Sequence, residues 1–278
     1  MFKSTGVSMR PVFYISDGTG ITTETIGHSM LAQFEGIEYL ARRIPFVDTL
    51  EKAQQAFDEI SKMQERLGQK AIVFTSLVDI QASTIIANTG ALLMDVLTPF
   101  ALPLERELGV KRKPRVGGAH ALVNFKAYEE RIDATNFALT HDDGINYNYA
   151  NADLIIVGVS RSGKTPTCLY LALHYGVKAA NYPLTEEDLE GEGLPKRLQP
   201  FKNKLFGLTI DPVRLQQIRQ VRKPDSKYAD LAQCKKEVQR AEAIFKSVRL
   251  PHVSSTNTSI EEMASKILAQ LNIQNHHY

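Results

Sequence analysis

Apolar positions along the chain fall into two alternating kinds of run. Short clusters of β-branched and aromatic residues, such as Val12-Phe13-Tyr14-Ile15, alternate with longer stretches whose apolar positions recur every three or four residues. The first pattern predicts strands and the second amphipathic helices, so their alternation predicts a layered α/β architecture. In the first hundred residues, strands are expected at Pro11–Ile15, Glu38–Ile44, Lys70–Thr75 and, short and buried, Ala91–Val96. Helices are expected at Thr22–Phe34, along Leu50, Ala53, Phe57, Ile60 and Met63, and at Val78–Asn88.

Between Thr98 and Gly118 the pattern breaks, because Pro99, Pro103, Pro114, basic residues and the Gly117-Gly118 pair are poor material for a continuous element. A helix over Tyr128–Leu139 and the polar loop His141-Asp142-Asp143-Gly144 follow. The pattern restarts at Ala152–Val157, whose uninterrupted apolar run suits a strand covered on both faces of a parallel sheet. Beyond it, helices are expected at Thr165–His174, Pro212–Arg219, Tyr228–Lys246 and Ile260–Leu271, and strands at Lys178–Tyr182 and Lys204–Ile210. Ser259-x-x-Glu262 opens the last helix as a capping box. The expected organisation is an amino-terminal α/β domain over 1–110, a candidate for partner docking, then a linker and polar loop over 111–150. A nucleotide-binding α/β domain with a mainly parallel sheet occupies 151–278.

Composition agrees with two folded domains: the 278 residues are 43% hydrophobic and 23% charged, near globular averages. The 33 basic and 31 acidic residues leave a net charge of +2, which argues against a general affinity for nucleic acid or membranes. The basic run Lys111, Arg112, Lys113, Arg115 is either a solvated linker or a docking patch for an acidic partner. No run approaches the ~18 apolar residues of a membrane helix or has the form of a signal peptide. Cys168 and Cys234, the two cysteines, lack metal-ligand spacing and need form no disulfide, so a cytoplasmic setting is expected. The His276-His277 pair reads as a tail.

The strongest chemical signal is Gly158-Val159-Ser160-Arg161-Ser162-Gly163-Lys164-Thr165, which matches G-x-x-x-x-G-K-[ST] between an expected strand and an expected helix. Such a loop curls round phosphates on its glycines and aims backbone N–H groups and a helix dipole at them. Lys164 would neutralise the terminal phosphates, Thr165 would hold a magnesium ion, and Arg161 adds a cation. Pro166 fits the first helical turn, where its missing N–H costs nothing. Asp211 ends an apolar run and is either a magnesium-anchoring acid or the N-cap of the helix after it. Ser16-Asp17-Gly18-Thr19-Gly20 is either a second anion-binding turn or a plain helix cap. The 141–144 loop, with His120 and Arg131 upstream, could supply a base or a metal ligand, although Asp-Gly is also a common turn.

On these residues the chain resembles the regulatory proteins of pyruvate, phosphate dikinase and phosphoenolpyruvate synthase. The resemblance runs over nearly the whole chain, through SDGTG at 16–20, AQF at 32–34, RIDA at 131–134, HDDG at 141–144, ADLIIVGVSRSGKTP at 152–166, ANYPL at 180–184 and GLTIDPxRLxxIR at 207–219. It implies a bifunctional enzyme that uses ADP to phosphorylate and inactivate its target on a threonine, then reverses this with inorganic phosphate, releasing pyrophosphate. Gly163 resembles the synthase-regulating branch, since many dikinase-regulating members carry serine there. The threonine proton would pass to a carboxylate, expected at Asp142 or Asp143 and less readily at Asp17, with Lys164 and Arg161 stabilising the phosphoryl oxygens. The expected partner is phosphoenolpyruvate synthase, with no nucleic acid and no membrane, and a homodimer is compatible with the sequence. Two rival readings are an ATP-dependent small-molecule kinase, with a lid built from Lys196, Arg197, Lys202 and Lys204, and a nucleotide sensor without turnover.

Overall fold

The computed structural model describes residues 9–113, 125–191, 193–271 and 273. The chain divides into two compact units, Met1–Leu122 and Val123–Tyr278. Of the features singled out above, Pro114, Arg115, Gly117-Gly118, His120 and His276-His277 lie outside the described residues.

In the first unit, β1 (Arg10–Ile15), β2 (Tyr39–Ile44), β3 (Ile72–Thr75) and β4 (Leu92–Asp95) form a parallel sheet in the order β2-β1-β3-β4. Helices α1 (Ile21–Leu31), α2 (Leu50–Leu67) and α3 (Ile80–Ala87) make the crossovers. Side chains of β1 alternate between two covered faces: Phe13 and Ile15 pack with Ile60 of α2 and Ile86 of α3, while Val12 and Tyr14 pack with Leu31 of α1 and Phe74. That double burial is why β1 reads as a continuous apolar run, each such residue contributing about 1.5–3 kcal/mol. Gly27 lets α1 lie close on the sheet, since a Cβ there would run into the Tyr14 ring.

Two expectations for this unit need correction. β4 is an edge strand and not buried: it pairs only with β3, and its residues alternate between exposed and half-buried. Thr98–Leu108, expected to be irregular, is a helix, α4, although Pro99 and Pro103 lie in it. Pro99 sits in its first turn, where no intrahelical N–H is needed, and the Asp95 carboxylate accepts from the Leu97 and Thr98 amides at 2.9 and 2.8 Å.

In the second unit, β5 (Leu154–Gly158), β6 (Ala179–Pro183), β7 (Leu205–Thr209) and β8 (His252–Ser254) form a parallel sheet ordered β6-β5-β7-β8. Strand β8, three residues on the sheet edge, is too short to show a pattern and was not expected. Helix α5 (Phe125–Thr140) belongs to this unit, so the stretch read by composition as a linker is part of the fold from Phe125 on: Ala134 and Ala138 pack with Leu154 and Ile156. The same core takes in α6 (Lys164–Tyr175) through Leu171 and α10 (Ile260–Leu271) through Ile267. On the other face, Ile155 and Val157 meet Leu215 of α8 (Pro212–Arg222) and Val238 and Phe245 of α9 (Leu231–Ser247). A short helix α7 (Glu186–Glu190) and 3-10 turns at Lys196–Lys204 and Lys227–Ala229 complete the unit. The capping box of α10 is partly realised, with the Ser259 hydroxyl accepting from the Glu262 amide at 3.2 Å.

Both sheets run outward in opposite directions from a central strand, β1 or β5, whose two neighbours come from later in the chain. In open parallel sheets the crevice beyond the carboxyl end of such a strand is where ligands bind.

Candidate functional site

Residues 158–165 fill that position in the second unit, leaving the end of β5 and entering α6. A Cβ on Gly158 would run into the Leu208 carbonyl oxygen, and Arg161 and Gly163 adopt left-handed backbone at φ 72° and 93°. The loop thereby folds back on itself. No side chain caps α6 at Gly163, so the helix presents bare N–H groups and the positive end of its dipole at the loop.

Lys164 is 3% exposed, and its Nζ donates to the Val159 carbonyl at 2.9 Å. Burial brings its pKa down to about 8, and the nearby Asp143 carboxylate gives the largest opposing pull, ahead of Asp142. The loop is also held from behind. Arg219, fully buried, donates to the Ser160 carbonyl at 3.1 Å, to Glu237 at 2.7 Å and to the Tyr228 carbonyl at 3.1 Å. With that carbonyl engaged from outside, the loop cannot flip this peptide towards its ligand side without breaking a charge-assisted bond.

The polar loop after α5 meets α6 across the end of β6. His141 stacks on Phe137 with ring centroids 3.9 Å apart, and its ring nitrogens lie 2.9 and 3.1 Å from the Phe137 and Asn148 carbonyl oxygens. It is therefore an anchor for the loop. The Asp142 carboxylate accepts from the Thr165 hydroxyl at 2.8 Å and the Asn181 amide at 2.6 Å, and the same amide reaches Thr165 at 3.0 Å. Asp143, in left-handed backbone at φ 47°, faces the cleft with Arg161, Lys164 and Thr165. The cleft measures about 550 Å³, and its remaining wall carries Ile218, Arg222, Lys223 and Tyr228.

Most, though not all, of the residues picked from sequence assemble here. Gly158 to Thr165, Asp142 and Asp143 are neighbours, whereas Asp17 is in the first unit, where its carboxylate accepts from the Val78 amide at 3.0 Å. Asp211 caps α8, accepting from the Val213 and Arg214 amides at 2.9 Å each. Arg131 is not among the residues lining the cleft. Neither are the proposed lid residues: Lys204 donates to the Ala150 and Ala152 carbonyls, and Arg197 lies over the Tyr147 ring. Cys168 and Cys234 are buried free thiols. Sequence reasoning passed over Asn181, Arg219 and Tyr228. A lone amide inside the apolar run of β6 was the available signal for Asn181, and Arg219 closes the GLTIDPxRLxxIR stretch.

The family model for kinase/pyrophosphorylase matches residues 12–268, from β1 to α10. The chain belongs to the kinase/pyrophosphorylase family. The match covers both units. A protein of Stenotrophomonas maltophilia (strain K279a), provisionally named a phosphoenolpyruvate synthase regulatory protein, is 59% identical over 271 residues, 98% of this chain and 99% of its own. A like-named protein of Xanthomonas campestris pv. campestris (strain B100) is 57% identical over 267 residues, 96% of this chain and 98% of its own. Among the described residues, no helix is long and apolar enough to cross a membrane.

Proposed function

We propose that this kinase/pyrophosphorylase regulates phosphoenolpyruvate synthase, phosphorylating a threonine of that enzyme from ADP and removing the phosphate with inorganic phosphate. The names of its relatives support the target, and the resemblance in sequence supports ADP as donor. The observation that carries the chemistry is the convergence of Asp143, Lys164 and Arg161 on one cleft beside the uncapped start of α6.

In the forward direction the threonine oxygen attacks the β-phosphorus of ADP. A bond forms between them, the bond from that phosphorus to the bridging oxygen breaks, and AMP departs. Asp143 takes the hydroxyl proton, while Lys164, Arg161 and the α6 amides stabilise the phosphoryl oxygens. In reverse an oxygen of inorganic phosphate attacks the phosphothreonine phosphorus, the bond to the threonine oxygen breaks, and pyrophosphate leaves. Asp143 takes the proton of the incoming hydrogen phosphate and passes it to the threonine oxygen, so one carboxyl group serves both directions.

The residues fit a magnesium ion. The Thr165 hydroxyl and Asp142 carboxylate, neighbours at 2.8 Å beside the start of α6, are the hard oxygen donors that magnesium takes. Thr165 and Asp142 would hold the ion, which would draw charge from the phosphates, and Asn181 would keep Asp142 oriented. This reading separates the two aspartates: Asp142 serves the metal and Asp143 the proton.

The first unit is the proposed docking unit. Its α4 buries no residue and exposes Phe100, Leu104 and Leu108 just before Lys111, Arg112 and Lys113. A cytoplasmic setting belongs to the same proposal. Incubating the protein with ADP or ATP and with purified synthase or dikinase, and following phosphate on threonine, tests it. Labelling of the synthase from ADP is expected; labelling of the dikinase alone, or from ATP alone, would overturn it.

A further inference from the structure

The cleft has a part that phosphates do not explain. Its loop wall is cationic and polar, yet the cleft is also lined by Tyr228 and the half-buried Ile218. We propose that Tyr228 is the stacking platform for the nucleobase, with Ile218 as its apolar edge and Arg219 as its backing. The inference rests on reading the 158–165 loop as the cradle for the diphosphate.

Tyr228 is held unusually firmly for a cleft residue. The Arg219 guanidinium lies over its ring at 4.1 Å, its carbonyl accepts from the same guanidinium at 3.1 Å, and its hydroxyl is 2.9 Å from the Ser160 hydroxyl. The ring borders both the main cleft and a smaller cavity of about 170 Å³ that Arg219 lines. The Arg219 guanidinium thus covers one face of the ring, and Tyr228 itself lines the cleft. A ring fixed at both ends has little rotamer freedom left to lose when a planar ligand covers its free face. Nucleobases stack on such rings through π-faces that every base possesses.

The bond to Ser160 also registers the platform against the cradle. The residue that sets the base and the loop that takes the phosphates are joined by one hydroxyl pair, and Arg219 grips both Tyr228 and Ser160. Arg222 and Lys223 also line the cleft and add positive charge to it.

Calorimetric titration with ADP and with inorganic pyrophosphate, which has the phosphates without the base, tests the proposal on Tyr228→Phe and Tyr228→Ala. ADP is expected to bind the unaltered protein at least about 5-fold more tightly than pyrophosphate, as base–aromatic stacking provides. Tyr228→Phe should keep that difference, and Tyr228→Ala should lose it while holding pyrophosphate within about 2-fold. The chain has no tryptophan, so Tyr228→Trp adds a single reporter whose emission ADP should quench and pyrophosphate should not.

If the unaltered protein binds pyrophosphate as tightly as ADP, the base has no subsite and this inference fails while the cradle stands. Equal losses of both ligands in Tyr228→Ala would likewise refute it, because Tyr228 would then act only through Ser160. Failure of the unaltered protein to bind either ligand would remove the cradle reading itself.

Discussion

The Thr165 hydroxyl donates to the Asp142 carboxylate across 2.8 Å, tying the first turn of α6 to the loop that precedes β5. The acid that faces the phosphate loop therefore comes from before its strand, and Asp211, which follows β7, caps a helix instead.

That arrangement separates the aspartates experimentally. Asp143→Asn should lower the rate in both directions by about 100-fold or more at saturating magnesium, because the proton acceptor is lost. Asp142→Asn should instead raise the magnesium concentration needed for half-maximal rate and for metal-linked ADP binding, with part of the rate recovered at high magnesium. Full forward and reverse activity in Asp143→Asn would eliminate it as the proton carrier.

Lys164 gives a pH signature. Its pKa is lowered to about 8 by burial, and a bound diphosphate favours the charged amine and raises it again. Pyrophosphate binding should therefore take up a proton above pH 8, and affinity should fall as pH rises from there. Calorimetry at pH 9 in buffers of different ionisation heat reads the uptake; none, or an unchanged slope in Lys164→Met, would contradict the assignment. The sign for folding is opposite: the unfolded chain holds this proton more tightly between about 8 and 10.5, so this group's contribution to stability grows over that range.

Arg219 makes a stability prediction. Arg219→Met leaves the Ser160 and Tyr228 carbonyls without this donor and Glu237 with only Gln233, which should cost about 3 kcal/mol in urea unfolding. A cost under about 1 kcal/mol would show that the guanidinium does not brace the loop.

How much of this could be read beforehand depends on the range of the interactions. The strand β5 and the loop after it were legible because burial on two faces and a curled anion loop each impose a local residue pattern. Asp142 and Asp143 were legible as a polar cluster, but their different surroundings were not, because Asp142 meets Thr165 and Asn181, more than twenty residues away. Nothing local in the sequence marks Arg219 as buried, and only packing of α8 and α9 behind Ser160 makes it a buried pin. Helix α4 departs from the expectation because the effect of proline depends on position: Pro99 stands in the first turn, where it costs little, while Pro103 lies inside the helix.

The docking proposal predicts a salt-sensitive association. Replacing Lys111, Arg112 and Lys113 together by alanine should weaken binding to the synthase and flatten its dependence on ionic strength. Identical affinity and salt slope would place docking elsewhere.

The central claim, transfer of the β-phosphoryl group of ADP at the 158–165 loop, is tested most directly by ADP labelled separately at its α- and β-phosphates. The account predicts label on a synthase threonine from β-labelled ADP only, one AMP released for each phosphate transferred, and loss of both in Lys164→Met. Absence of label from the β-position, or undiminished transfer in Lys164→Met, would contradict it.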